Sequence, residues 1–591
     1  MKPPLTTCAA VACFLCPASE LAEAASAPGP DSAFAQALMQ SMEKMDSDMM
    51  SAPMNGDPDH DMSAMMIPHH QGAIDMARSY LLRGKDPALR RLAQEIIVTQ
   101  TQEIDVMQRR LAVLESGQTG STLEVTQDGT GATKIGGGDR VYVAEQTSNT
   151  VSVIDPALNK LLGVIRLGDP VPAALSPLYR GQLLVHGLGF SPDHRTLAVV
   201  SIGSNSVTFI DTATNKVKGV VYIGRSPHEA FFTPDGKELW AVVRGEDYVS
   251  VIDPVKMKET RRIQTANGPG MVLFRPDGKY AFVPSSFTPQ LAVIDTHTYQ
   301  VVARVPQASP FSPNLAVSRD GMEVWFTLKD SGKTQVMSAQ PPFQVLATLD
   351  TGPITNHVAL VENGGDKLAY ISVGGENVVK VFRRDEKHEL VATIPTGDLP
   401  HGIWGSGDGS RVYVGLENED AVSAIDTSTN TIIATIPIGQ QPQALVYVAN
   451  AVPNGEGSAN LTPLGDIGKA EHLKLAPPPG NDSSARATVS VNSLGALDLL
   501  QAAVSGLKPT SSYTLWLVSS RTAPFGNKAA LVTFKTNLAG AQVAQAIGPL
   551  RQVLTRSDAS ASQPDERFLL VTQEGSDTPE LIQNDHAGEM K

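Results

Sequence analysis

VYVGLENEDAVSAIDTSTNTIIATI, residues 412–436, holds two runs of alternating apolar and polar residues followed by the signature V-x-x-I-D. The same pattern recurs as VYVAEQTSNTVSVIDPALNKLLGVI (141–165), LAVVSIGSNSVTFIDTATNKVKGVV (197–221) and LWAVVRGEDYVSVIDPVKMKETRRI (239–263). Ahead of most units stands a phrase such as FFTPDGKE (231–238) or LFRPDGKY (273–280), in which Asp-Gly supplies a tight hairpin turn. Alternation of period two marks half-buried strands, and four short strands per repeat of about 40–45 residues indicate a β-propeller. Seven units fit between residues 138 and 450. The first lacks its opening strand, and QPQALVYV (441–448) is expected to supply it, closing the ring and removing its free edges.

Outward from this array the chain divides at two linkers, residues 118–137 and 451–484, both rich in Gly, Ser, Thr or Pro. All three cysteines (Cys8, Cys13, Cys16) lie in an apolar run after Lys2, which ends in the small residues Ala25-Ser26-Ala27. That is the pattern of a secretory signal over residues 1–27 and places the mature chain in the periplasm or outside the cell, without thiols. No later stretch is long and apolar enough to span a membrane. A net charge of −14 argues against a nucleic-acid partner, which demands a basic surface. Residues 485–575 read as a small β-sandwich, with Leu507, Pro509 and Tyr513 spaced as a tyrosine corner, ahead of a tail at 576–591.

Residues 28–117 read as an all-α helix bundle. Leu38, Met42, Met45 and Met49 recur at helical spacing, a second helix runs from near Asp61 to Leu82, and a third opens at Asp86-Pro87. The second carries MMIPHHQGAIDM (65–76), which places Met62, Met65, Met66, His69, Ala73 and Met76 within one stripe, with His70 at its border. Pro68 must kink that helix or start a new first turn. Glu103 and Gln100 interrupt the apolar face of the third helix. Two uses fit. Methionine fills irregular cores, so the stripe can be packing alone. Yet ten of the seventeen methionines lie between Met39 and Met76, where a core needing only volume would use Leu. Thioether and imidazole together favour Cu(I) or Ag(I), with imidazole also suiting Cu(II). On this reading His69 and His70 are the principal ligands, Met62, Met65, Met66 and Met76 the thioether donors, and Glu103 a charged partner.

The run M-x-x-x-H-H-x-x-A-I-x-M-A from Met65 to Ala77, followed by L-A-x-x-I-I-x-x-Q-x-x-E-I-x-x-M from Leu92 to Met107, resembles the bacterial ferritin-like family catalogued as domain of unknown function 305. The resemblance implies an exported four-helix-type domain, and its Met- and His-rich members that bind copper or silver make copper the expected ion. The central repeats are similar to the YVTN family of propellers, which implies fold and little about function.

Aligning the blades puts His186, His228, Gly270, Asn314, His357, His401 and Gln443 in one register at the start of each inner strand, so four of the twelve histidines point to the channel. This register can hold a metal or an anion, or each His can simply bond the neighbouring blade. Arg225, Arg244 and Arg275, near the same rim, would favour an anionic guest. No phosphate-binding loop, nucleophile elbow or HExxH is present. The expected function is copper or silver sequestration by the helical region, with the propeller as a scaffold for a ligand or another exported protein. Two alternatives stand beside it: an oxidoreductase with a metal or redox cofactor in the channel, and a surface-layer or adhesive protein with no metal.

Overall fold

The computed structural model describes residues 32–86, scattered positions from 89 to 111, and 134–584 apart from 169–182, 465–469, 494–496, 551–553 and 555–566. The expected signal segment therefore lies outside the described residues, as does Glu103. The chain forms two compact units, Met1–Ser121 and Thr122–Lys591.

In the first unit helix α1 spans Ser32–Met50 and helix α2 spans Pro58–Arg83. Helix α2 begins earlier than the apolar periodicity suggests, because Pro58 fits a first helical turn. Asp61 steadies that end by accepting the backbone N–H groups of Asn55 (2.8 Å) and Gly56 (3.0 Å), and these bonds hold its carboxyl below the ordinary carboxylate range. Pro68 lies inside the helix without ending it. The two helices touch where Gly72 faces Met45, since a Cβ at 72 would collide with that side chain. Of the expected third helix, the described positions between Leu89 and Leu111 are helical, but only α1 and α2 are continuous among the described residues, so a full bundle is not established.

Seven four-stranded antiparallel sheets make the propeller of the second unit. Ring closure is as the repeats require: Pro442–Val448 pairs with Arg140–Glu145, with Val141 opposite Tyr447 and Val143 opposite Leu445. The segment after closure is not a free linker. Arg195 donates to Asn450 O, Asn215 donates to Gly457 O and Ala459 O, and Thr462 bridges Val164, so residues 449–462 strap across blades 1 and 2. Inner strands approach closely where side chains are absent. A Cβ on Gly189 would run into the backbone carbonyl of Ala230 in the next blade.

The C-terminal region is a single curled sheet of eight strands, not two packed sheets. It recruits Glu471–Ala476 from the expected linker and Pro579–Asn584 from the expected tail, and these pair with each other to complete it. The tyrosine corner is present: the Lys508 N–H donates to the Tyr513 hydroxyl at 3.1 Å. This sheet packs on one face of the propeller. Asn418 donates to Thr488 O, Ser505 donates to Gly375 O, Lys474 pairs with Asp398, and Ile354, Leu399, Ala503 and Ala541 form a shared apolar patch.

Gly189→Ala forces two inner strands apart in a close-packed ring. It should lower propeller stability by about 2 kcal/mol or more, read as an earlier unfolding transition by circular dichroism.

Candidate functional site

Helix α2 turns its buried side to His60, Ala64, Ile74 and Ala77, and this side lies opposite the methionine stripe. Met62 is 62% exposed and Met65 38%, while Met66, His69, His70 and Met76 are half-buried. Six of the ten methionines from 39 to 76 (Met39, Met42, Met50, Met54, Met62 and Met65) are exposed. Core packing does not account for them. Between the exposed thioethers and the interior, the His69 and His70 rings meet edge to face at 5.7 Å. His70 Nδ1 donates to Met66 O at 2.8 Å, which fixes the orientation of the ring. His69 Nδ1 is buried without a hydrogen-bond partner, as is Gln100 Oε1. A buried polar atom left unpaired costs free energy, so two in one small unit suit a group that binds there. Of the expected ligand set, the structure brings His69, His70, Met66 and Met76 onto half-buried positions and sets Met62 and Met65 in solvent.

The axial histidines form two pairs rather than a ring. His186 and His228, on blades 2 and 3, have ring centroids 4.2 Å apart; His357 and His401, on blades 6 and 7, are 4.8 Å apart. His228 Nδ1 bonds Gly270 O (2.6 Å) and His401 Nδ1 bonds Gln443 O (2.7 Å). In each case the acceptor is the equivalent residue of the next blade, so these two imidazoles tie blades together. His186 Nδ1 and His357 Nε2 remain buried and unpaired. Burial is the main influence holding all four below the ordinary imidazole range, with His357 brought down to about 3. Neutral imidazoles are the metal-binding form. Glu229 completes a cluster with His186 and His228 whose ligand atoms lie within 4.8 Å of one another. Burial drives its carboxyl well up, against one N–H bond from Leu188. Two imidazoles and a carboxylate suit a first-row transition ion.

At the other end of the axis Trp404 stacks on Phe231 (6.1 Å, 8°) and meets Phe190 edge-on, beside a cavity of about 380 Å³. Aromatic and aliphatic side chains share its lining with His194, Asn314 and Arg319.

Residues 17–111 match the family described as Domain of unknown function (DUF305). The helical unit resembles DUF305. Residues 213–433 match the family described as Lactonase, 7-bladed beta-propeller, which agrees with the blade count of the ring. No curated protein matches the chain. Similar solved structures include hydrazine synthase of Kuenenia stuttgartiensis, 22% identical, covering 44% of this chain and 89% of that one, with a TM-score of 0.40. A functionally unknown protein of Desulfotomaculum acetoxidans DSM 771 is 13% identical, covering 52% and 99%, with a TM-score of 0.45. The Cps50 (Swd1) β-propeller domain of Myceliophteria thermophila is 13% identical, covering 49% and 94%, with a TM-score of 0.40. Likeness at that level carries nothing about activity.

The DUF305 region thus holds the ligand types that the sequence singles out, while the propeller adds residues that it does not. Glu229 stands beside His228 in SPHEAFF, a charged residue within an inner strand, and was open to notice. Lys329 emerges only when the position after each second strand is compared across blades: Gln146, Ile202, Arg244, Pro284, Lys329, Gly374 and Glu417. Of the three arginines expected at the rim, Arg225 is exposed and bonds Gly245 O, and Arg275 is paired with Asp277. Only Arg244 reaches the axis.

The depressed axial histidines have a thermodynamic signature. A histidine whose folded pKa lies below its unfolded value binds protons more readily when unfolded, so its contribution to stability is lost as pH falls below about 6.5. Glu145, pushed up to about 7 chiefly by burial, and Glu229 act in the opposite sense. Comparing variants cancels them. His357→Gln should flatten the loss of thermal stability between about pH 6.5 and 4.5 relative to the natural chain, measured as melting temperature against pH.

Proposed function

We propose that this protein binds a soft transition-metal ion, copper(I) or silver(I), through the DUF305 region, in the periplasm or at the cell surface, and that its role is sequestration or delivery without turnover. The observation that carries this reading is the exposure of the methionines. A thioether in solvent gains nothing from burial and is open to oxidation, so five of them on two helices and a sixth, Met54, in the connection between them need a purpose beyond packing. His69 and His70 would supply imidazole nitrogen, Met66 and Met76 half-buried sulfur, and Met62 and Met65 sulfur at the entrance. The bond from His70 Nδ1 to Met66 O would hold that ring in a fixed orientation, as outer partners do for metal-binding histidines. Capture begins at the exposed sulfurs and ends at the half-buried imidazoles, where water is partly excluded. Glu103, outside the described residues, would be a charged partner. The propeller and C-terminal sheet would act as a scaffold toward another exported protein.

A second reading rests on His186, His228 and Glu229, whose converging donors would make the propeller the metal-bearing part and the protein an enzyme.

An anaerobic titration of Cu(I) against a chromophoric chelator separates the two. The full chain would carry Cys8→Ser, Cys13→Ser and Cys16→Ser, so that no thiol competes. Stoichiometric binding weakened at least about tenfold by His69→Ala/His70→Ala, and unchanged by His186→Ala/His228→Ala, is the expected result. The reverse pattern would transfer the metal to the propeller, and retention in both variants would overturn both readings.

A further inference from the structure

Two cations at the propeller axis form no ion pair with any described residue. Arg244 and Lys329 follow the second strands of blades 3 and 5, and both residues contact Phe311, Arg244 by its guanidinium and Lys329 by its backbone. The Arg244 guanidinium lies over its ring at 4.9 Å, and the Lys329 backbone N–H donates to its carbonyl at 2.9 Å. Neither cationic group forms an ion pair or a side-chain hydrogen bond with any described residue. Both are strongly desolvated: burial is the main cause that lowers Arg244 to about 10 and Lys329 to about 8. Both nevertheless keep some accessible surface. A group enclosed by protein yet still touched by solvent lines an internal recess rather than the outer surface.

The surroundings are unusual for charges so placed. Arg244 depresses His186 and His228, and Lys329 depresses His186, His357 and His401, so both cations sit within electrostatic reach of the imidazole pairs. Arg244 also depresses Lys329. Two carboxyls are near. Glu229 is buried among His186, His228 and the Leu188 N–H, and burial favours its neutral form. Glu417 attracts Lys329 without forming an ion pair with it, and its carboxylate accepts the Gln501 amide of the C-terminal sheet at 2.7 Å. Enclosed, mutually repelling cations are costly unless a negative charge joins them.

The contacts of the C-terminal sheet with the propeller at Ile354, Gly375, Asp398, Leu399, Asn418 and Gln441 fall on blades 5 to 7 and on the segment that opens blade 1. Around Arg244 on the other side, Phe287 is 56% exposed and its ring lies 5.8 Å from the guanidinium.

We propose that this recess is an anion site, in which the Arg244 guanidinium and the Lys329 ammonium grip a small oxyanion, a carboxylate or a phosphate, beside the two imidazole pairs. Arg offers a planar fork and Lys a point charge, a combination that suits an oxyanion with two or more acceptor oxygens. The site is independent of the metal reading for the DUF305 region, and neither cation belongs to a proposed metal ligand set.

The test is isothermal titration of the full chain with succinate, inorganic phosphate and sulfate in turn, at constant ionic strength, alongside Lys329→Gln and Arg244→Gln. Binding of at least one anion with a Kd below about 1 mM, weakened about tenfold or more in each variant, is expected. Preference for succinate over phosphate would identify an organic acid as the occupant, and the reverse an inorganic one. Melting curves without anion guard against misfolding: Lys329→Gln removes an uncompensated charge and should melt no lower than the natural chain. Absence of binding by all three anions, or equal affinity in a folded Lys329→Gln chain, would overturn the proposal.

Discussion

Closing the ring is the constraint on which the second unit depends. When Pro442–Val448 pairs with Arg140–Glu145, the inner strands of all seven blades are forced around one axis, so whatever stands at a given register meets its equivalents there. Most propeller positions answer this with small or apolar side chains. Here one layer carries His186, His228, His357 and His401, and the next turn carries Arg244, Lys329 and Glu417. The same geometry that builds the core therefore concentrates titratable groups where water is scarce. Burial lowers the pKa of the four imidazoles, of Arg244 and of Lys329.

The C-terminal sheet takes part in that arrangement. Gln501 donates to the Glu417 carboxylate, which itself lies within electrostatic reach of Lys329. The C-terminal domain thus touches the charged layer of the axis directly. The helical unit follows a different logic, since its proposed ligands lie on the half-exposed side of α2, opposite the buried His60, Ala64 and Ile74.

Much of this was legible in the sequence. A period-two pattern repeated with V-x-x-I-D and Asp-Gly turns leaves few folds available, and the orphan strand at 441–448 predicts its own partner. The Lys508–Tyr513 corner follows from local spacing alone. Less legible was the C-terminal sheet, because Glu471–Ala476 and Pro579–Asn584 are short, lie among breakers, and become strands only by pairing with each other across the domain. The methionine stripe was visible as a stripe, but not its direction. Periodicity groups Met62, Met65 and Met76 on one face, and only the burial of His60, Ala64 and Ile74 shows that the opposite face is interior. The two unpaired cations could not be read from one blade; they depend on neighbours drawn from blades distant in sequence.

The most direct test of the central claim is X-ray absorption at the copper edge, on the full chain with Cys8→Ser, Cys13→Ser and Cys16→Ser loaded anaerobically with one equivalent of Cu(I). A first shell of sulfur and imidazole nitrogen, with the nitrogen lost in His69→Ala/His70→Ala, is the predicted result. A shell of nitrogen and oxygen alone, unaffected by that variant, would contradict a thioether–imidazole site on helix α2.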